Sequence, residues 1–122
     1  MVDVLYFGAR PKVRLVRQMK EAQCKIIYSR SVEYVVKRLA GAGALVVHWT
    51  AEKQQLIQAA KQAGVPVLVI TSRLADATAQ EPFADLYLEA PAASDEVAAL
   101  LRDMIAGKPD QPKRKRQARA AA

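Results

Sequence analysis

Ala44-Leu-Val-Val-His-Trp-Thr50 is an apolar run that ends in an imidazole, an indole and a hydroxyl group. Four consecutive apolar residues, two of them β-branched, are typical of a strand that is buried on both faces of a sheet, so we predict the central strand here. In open α/β sheets, ligands bind beyond the carboxyl ends of the strands, which places His48, Trp49 and Thr50 where a site would lie. This stretch contains no carboxylate and no glycine-rich loop.

Strand and helix patterns alternate on both sides of this run. Strands are predicted at residues 2–8, 24–29, 44–50, 66–71 and 85–89. Helices are predicted to begin near Pro11, Ser31, Thr50 and Ser94, with a short or irregular fourth helix within residues 72–84. This alternation predicts an α/β domain, a flavodoxin-like (βα)5 doubly wound parallel sheet with strand order 2-1-3-4-5.

The apolar positions of the helices predict which sides are buried. In the first helix we expect Val13, Val16 and Met19, with Leu15 beside them, to face inward and a basic stripe to face solvent. The stripe consists of Arg10, Arg14, Arg17 and Lys20. The predicted inward positions of the other helices are Val32, Val35, Val36, Leu39, Leu56, Ile57, Ala60, Ala63, Val97, Leu100, Leu101, Met104 and Ile105.

The composition is that of one ordinary domain. The chain has 122 residues, of which 52% are hydrophobic, so it can bury a core without disulfides or metal. Its single cysteine, Cys24, has no partner for an internal disulfide, and we expect it to be buried or half-buried. Without a signal peptide or an 18-residue apolar run, the sequence predicts a soluble, cytoplasmic protein that does not enter a membrane.

The positive charge is concentrated at the end of the chain. Of the formal net charge of +7, residues 108–122 contribute five and residues 1–107 only two. We therefore predict a domain over residues 1–107 and a basic, disordered tail over residues 108–122. An alternative function is weak binding of DNA or RNA through tail cations, which are Lys113, Arg114, Lys115, Arg116 and Arg119.

Four segments in register resemble the receiver domain of response regulators. They are Val4-Leu-Tyr-Phe-Gly-Ala-Arg-Pro11, Ala44-Leu-Val-Val-His-Trp49, Val67-Leu-Val-Ile-Thr71 and Tyr87-Leu-Glu-Ala-Pro91. They match the first, third, fourth and fifth strand motifs of that family, and the resemblance covers residues 2–106.

The departures from the family pattern concern its phosphorylation site. Where receivers place the acidic pair that holds Mg²⁺, this sequence has Gly8 and Ala9. The position of the phosphorylated aspartate is taken by Trp49, or by His48 if the register shifts by one, and the family's lysine is replaced by Ala90. Aspartyl phosphorylation needs a carboxylate nucleophile, a divalent cation and a lysine, so the sequence predicts a vacated pocket.

The resemblance therefore implies a pseudo-receiver without catalytic activity, metal or cofactor. Thr71 and Tyr87 match the hydroxyl and aromatic residues of the family's switch pair, and Thr71 belongs to the vacated pocket. We interpret His48, the single histidine, as a hydrogen-bonded packing residue rather than a metal ligand or base. Trp49 is interpreted as an aromatic plug of the pocket.

Receivers commonly pair through their fourth helix, fifth strand and fifth helix. By resemblance, the partner-binding residues of this chain would be Arg73, Leu86, Tyr87 and Glu89, with the outer side of residues 94–108. The implied role is protein–protein interaction in bacterial signalling or protein positioning. The partner would be a protein whose identity the sequence leaves open, with a second copy of the chain as one candidate.

Two enzyme-related interpretations fit less well. A flavodoxin would need a Ser/Thr/Gly-rich phosphate loop after the first strand, and a phosphocysteine transfer domain would need a cysteine there. Gly8-Ala-Arg-Pro-Lys12 provides neither.

Overall fold

Five parallel strands form a single sheet in the computed structural model, which describes residues 1–48, 54–72, 75, 78 and 84–107. The strands are β1 (Val2–Phe7), β2 (Cys24–Ser29), β3 (Ala42–His48), β4 (Val67–Thr71) and β5 (Leu86–Glu89). Their order is β2-β1-β3-β4-β5, and every neighbouring pair is parallel. The predicted flavodoxin-like fold and strand order are confirmed.

Four α-helices lie within the described residues: α1 (Val13–Glu21), α2 (Val32–Arg38), α3 (Gln54–Gln62) and α4 (Ser94–Ile105). A 3₁₀ turn over Leu39–Gly41 connects α2 to β3. The helix labelled α4 is the predicted fifth helix, because most of residues 72–84, where the fourth was predicted, lie outside the described residues. Among the described helices, none is long and apolar enough to cross a membrane.

The helices cover both faces of the sheet. Because side chains alternate along a strand, each strand contributes to two separate cores. On the α1/α4 face, Leu15, Met19, Val97 and Leu101 pack with strand residues such as Val4, Ala44 and Leu68. On the α2/α3 face, Val35, Leu39, Leu56 and Ile57 pack with strand residues such as Leu5, Leu45 and Val47.

The central strand is β3, as predicted. Residues 44–47 are completely buried, and β3 pairs with β1 on one side and with β4 on the other. It begins two residues earlier than predicted, at Ala42, and its described part ends at His48. Trp49 and Thr50 lie outside the described residues.

The predicted inward face of α1 is wrong in part. Val13 and Val16 are 73% and 38% exposed, whereas Leu15 and Met19 are buried. Leu15 and Met19 are four residues apart and therefore share one side of the helix, while Val13 lies about 160° around the axis from Leu15. The basic stripe is exposed, as predicted.

Three further details differ from the sequence expectations. Val36 is 42% exposed, and Ala63 is exposed because α3 ends at Gln62. Ser94 does not cap α4, since the N-cap is Ala93 and Ser94 is already in the first helical turn. Ser31 does cap α2, because its Oγ accepts a hydrogen bond from the backbone N–H of Tyr34 at 3.2 Å.

Candidate functional site at the carboxyl edge of the sheet

The carboxyl ends of the strands bring most of the predicted site residues to one edge. Gly8 and Ala9 follow β1, His48 ends the described part of β3, Thr71 ends β4, and Ala90 follows β5. The register aligns His48 with Ile70, and Thr71 with Glu89. Trp49, the remaining member of the predicted vacated pocket, lies outside the described residues.

A hydrogen bond between two strands occupies this edge on the α1/α4 face. The hydroxyl oxygen of Tyr6 lies 2.8 Å from Nε2 of His48, and the ring centroids are 5.3 Å apart with a 51° angle between the planes. Burial lowers the pKa of His48 and raises the pKa of Tyr6, so both groups are neutral near pH 7. His48 is hydrogen-bonded and half-buried, in agreement with its interpretation as a packing residue.

Sequence reasoning missed Tyr6 as the partner of His48. The pairing register of β1 and β3 could have revealed this partner, because Tyr6 is aligned with Val46, two residues before His48. Residues two apart on a strand share a face, so a tyrosine beside Val46 lies close to the end of β3 on the same side.

The backbone after β1 runs close to His48. Gly8 has φ of +103°, and a Cβ built there would lie 3.1 Å from the carbonyl oxygen of His48 and 3.2 Å from its Cβ. Only glycine adopts this conformation readily, and only glycine leaves room for this approach. The turn after β1 is thus fitted closely to the end of β3.

The switch-pair residues lie on the opposite face of the sheet. Thr71 and Tyr87 are 4% and 3% exposed, and Tyr87 belongs to the α2/α3 core. The hydroxyl oxygen of Tyr87 accepts a hydrogen bond from the backbone N–H of Ala84 at 2.9 Å. Burial, as the main cause, raises the pKa of Tyr87, so its phenol is neutral.

Two of the four predicted partner-binding residues are not on the surface. Leu86 is 1% exposed and Tyr87 is 3% exposed, because these two side chains of β5 pack under the helices that cover the sheet. Glu89 is exposed, and Arg73 lies outside the described residues. Of this set, Glu89 is therefore the described side chain that a partner could contact directly, and partner binding itself stays a prediction.

A cavity of about 200 Å³ opens beside the Tyr6–His48 pair on the α1/α4 face. Its polar lining comes from Tyr6, Arg10, Lys12, His48 and Ser94. Its apolar lining comes from Leu15, Ile70, Val97 and the segment Ala90, Pro91 and Ala92. Of the predicted vacated pocket, His48 and Ala90 line this cavity, whereas Gly8, Ala9 and Thr71 do not.

One carboxylate in the first turn of α4, next to the lining residue Ser94, is engaged by α1. Asp95, in the first turn of α4, accepts hydrogen bonds from Arg14 at 3.2 Å and from the amide of Gln18. The Gln18 hydrogen bond and, after it, the Arg14 charge lower the pKa of Asp95. Within the described part of the chain, no group of three or more His, Cys, Asp or Glu side chains could hold a metal ion.

The tail cations named as the alternative nucleic-acid site, Lys113, Arg114, Lys115, Arg116 and Arg119, lie outside the described residues. Nucleic-acid binding by the tail therefore stays a prediction.

Comparison with known proteins places the fold. No family model and no curated protein sequence matches this chain. A response regulator receiver protein from Sinorhizobium medicae superposes with a TM-score of 0.66 at 15% identity, over 88% of this chain and 96% of that chain. The receiver domain of a Francisella response regulator gives 0.68 at 12% identity, over 88% of this chain and 99% of that chain.

A de novo designed Rossmann 2x3 protein superposes almost as well. Its TM-score is 0.62 at 15% identity, over 90% of this chain and 94% of that chain. Because a designed protein and natural receivers share the architecture to a similar degree, the likeness establishes the fold and leaves function to the site.

Proposed function

We propose that this chain is a receiver-like module that is not phosphorylated and that acts by binding a protein, in bacterial signalling or protein positioning. The observation that carries the proposal is the make-up of the carboxyl edge, where Gly8, Ala9, His48 and Ala90 stand in place of the reactive groups of receivers. The Tyr6–His48 hydrogen bond joins two neutral side chains across this edge.

The chemistry of phosphorylation explains why these replacements matter. A phosphoryl group carries negative charge on its oxygens, which receivers balance with a divalent cation held by carboxylates. The described strand ends of β1 and β3 offer a neutral phenol, a neutral imidazole and backbone atoms. Neither a neutral phenol nor a neutral imidazole can hold Mg²⁺ in the way that paired carboxylates do.

The phosphorylation half of the proposal is tested with a phosphodonor. The chain is incubated with acetyl phosphate, or with beryllofluoride, in the presence of Mg²⁺. We expect an unchanged mass and no change in the amide NMR spectrum that depends on Mg²⁺. A stoichiometric adduct, or saturable shifts at His48 and Thr71 that require Mg²⁺, would overturn this half.

The part of the proposal that concerns protein binding predicts that a partner contacts the outer side of α4 and the end of β5. Arg102 is exposed on α4, and Glu89 is exposed at the end of the edge strand β5. The opposite side of the molecule offers a matched position, since Lys37 is exposed on α2. A photo-crosslinking amino acid placed at Arg102 should give a discrete crosslinked species in cells, and one placed at Lys37 should not.

The crosslinked species also identifies the partner. A species of twice the chain mass that contains this chain alone indicates a homodimer, and a heavier or mixed species indicates another protein. Equal crosslinking from positions 102 and 37, or none from position 102, would contradict the proposed surface.

A further inference from the structure

The cavity beside Tyr6 and His48 combines cationic, hydroxyl and apolar lining in one place. We propose that it binds a small organic oxyanion, a carboxylate or a phosphate monoester, with the apolar part of the ligand against Leu15, Ile70 and Val97. This inference does not rest on the partner-binding role, and it concerns a ligand that is bound reversibly and is not transferred to the protein.

Two cations line the cavity and form no salt bridge within the described part of the chain. Arg10 and Lys12 are exposed and line the cavity, and within the described residues neither forms a salt bridge. The guanidinium carbon of Arg10 lies 5.9 Å from the ring centroid of Tyr28, a contact that holds this long side chain over the sheet. Both charges are therefore available to a bound anion.

The start of α4 supplies hydrogen-bond donors on the other side of the cavity. Ser94 is only 9% exposed and lines the cavity, yet its hydroxyl has no hydrogen-bond partner among the described residues. The hydroxyl oxygen of Ser94 is not one of the fully buried atoms that lack a partner, so water or a ligand in the cavity can reach it. A ligand oxygen in the cavity can accept a hydrogen bond from it.

The N-terminus of α4 adds to this donor set. The N-cap residue Ala93 makes no side-chain capping hydrogen bond, so no cap side chain satisfies the backbone N–H groups of the first turn. At the N-terminus of a 12-residue helix these N–H groups and the helix dipole favour an anion.

One of the two acidic residues in the first turn of α4 is engaged by α1. The Asp95 carboxylate is directed at α1, where Arg14 and Gln18 bind it. Glu96, the other acidic residue of that turn, has an interaction of its own. Arg10 and Lys12 line the cavity and form no salt bridge within the described residues.

The size and walls of the cavity restrict the ligand. A volume of about 200 Å³ is below the roughly 300–1,000 Å³ of drug-sized pockets. It corresponds to about seven water volumes, which suits a single ring or a short chain with one acidic group. The apolar walls favour a ligand with a hydrocarbon part over a bare inorganic ion.

The test is an NMR titration of the full-length chain with four probes. Phenyl phosphate and benzoate represent the two oxyanion classes, benzyl alcohol is a neutral control, and inorganic phosphate lacks the apolar part. We expect saturable amide shifts around Ser94 and His48 with phenyl phosphate or benzoate, and at least about tenfold weaker binding of both controls. The tighter of the two oxyanions identifies the class of the ligand.

Matched variants separate the cavity from the general positive charge of the chain. Arg10→Gln with Lys12→Gln should weaken binding at least tenfold, because a charged hydrogen bond contributes about one order of magnitude in affinity. Arg17→Gln with Lys20→Gln removes the same charge from exposed positions of α1 that do not line the cavity, and should change affinity less than twofold. Ser94→Ala should weaken binding without altering the far-ultraviolet circular dichroism.

Three results would overturn the inference. They are the absence of saturable shifts with both oxyanions, an equal loss of affinity in the two double variants, and binding of inorganic phosphate as tight as that of phenyl phosphate. The purified chain suffices for this experiment, so the outcome does not depend on whether a protein partner exists.

Discussion

The two faces of the sheet are built from the same five strands but use their tyrosine hydroxyl groups differently. On the α2/α3 face, Tyr87 is buried and its hydroxyl oxygen accepts a hydrogen bond from the backbone N–H of Ala84, just before β5. On the α1/α4 face, the hydroxyl group of Tyr6 is bonded to half-buried His48 beside the cavity. Among the described residues, one tyrosine therefore serves packing in the core, and the other lies at polar groups that a ligand can reach.

The largest expected losses of stability are of equal size on the two faces of the sheet. Leu45 and Leu68 are both 0% exposed, the first in the α2/α3 core and the second in the α1/α4 core. Leu45→Ala and Leu68→Ala should each lower the free energy of unfolding by about 2–5 kcal/mol, because each leaves a cavity in a packed core. Urea unfolding measures both. A Leu68→Ala variant as stable as the wild type would mean that the α1/α4 core is loosely packed.

The next effect belongs to the carboxyl edge alone. Gly8→Ala combines a φ of +103° with contacts of 3.1 and 3.2 Å to His48. We expect a loss of about 1–3 kcal/mol in the free energy of unfolding. Gly41→Ala is the matched control, since a Cβ there meets no atom within 4 Å. If thermal unfolding showed equal stability for the two variants, the close approach of Gly8 and His48 would be unimportant for the edge.

Two tyrosines compare the faces directly. Tyr87→Phe leaves the buried N–H of Ala84 without its acceptor and should lower the free energy of unfolding by about 1–3 kcal/mol. Tyr6→Phe removes the bond to His48, which is half-buried at the cavity and can bind water instead, so the loss should be about 0.5–1 kcal/mol. Chemical denaturation of both variants shows which of them loses more stability. A greater loss for Tyr6→Phe would reverse the proposed contrast.

The smallest effect is a pH dependence on the α1/α4 face. Burial lowers the pKa of His48, the single histidine, so the unfolded chain binds a proton more readily than the folded chain. The contribution of His48 to the free energy of unfolding should therefore be fully present above about pH 6.5. It should be lost as the pH falls from about 6.5 toward the lowered folded pKa. His48→Gln should lack this part of the dependence between pH 7 and pH 5. An unchanged slope in that variant would assign the effect to other groups.

The sequence was a good guide to the strands and a weaker guide to individual helix positions. Continuous apolar runs such as residues 44–47 can only be buried, and they are. In α1 the valines and leucines offered more than one apolar stripe, and packing on the sheet selected Leu15 and Met19 over Val13 and Val16. A small rotation of the helix about its axis decides which apolar stripe is buried, and the sequence pattern alone does not determine that rotation.

The candidate site shows the same division. The sequence identified His48 and Ala90 at the edge, because strand ends can be placed from the pattern. It did not identify Arg10, Lys12 and Ser94 as lining residues, since they come from two distant segments, the connection before α1 and the start of α4, which the fold brings together. It also placed Leu86 and Tyr87 on a partner surface, although helices and neighbouring strands bury them.

The sequence by itself determined the order of elements, the parallel sheet and the presence of Gly8, Ala9 and Ala90, rather than carboxylates or a lysine, after the strands. These follow from local chemistry: hydrophobic runs, turn residues and the absence of carboxylates at given positions. Only the tertiary structure decided that Tyr6 meets His48, that the hydroxyl of Tyr87 is used inside the core, and that Arg10 and Lys12 line a cavity between β3 and α4. Such contacts join residues distant in sequence, and their geometry is set by how helices settle on the sheet rather than by any local pattern.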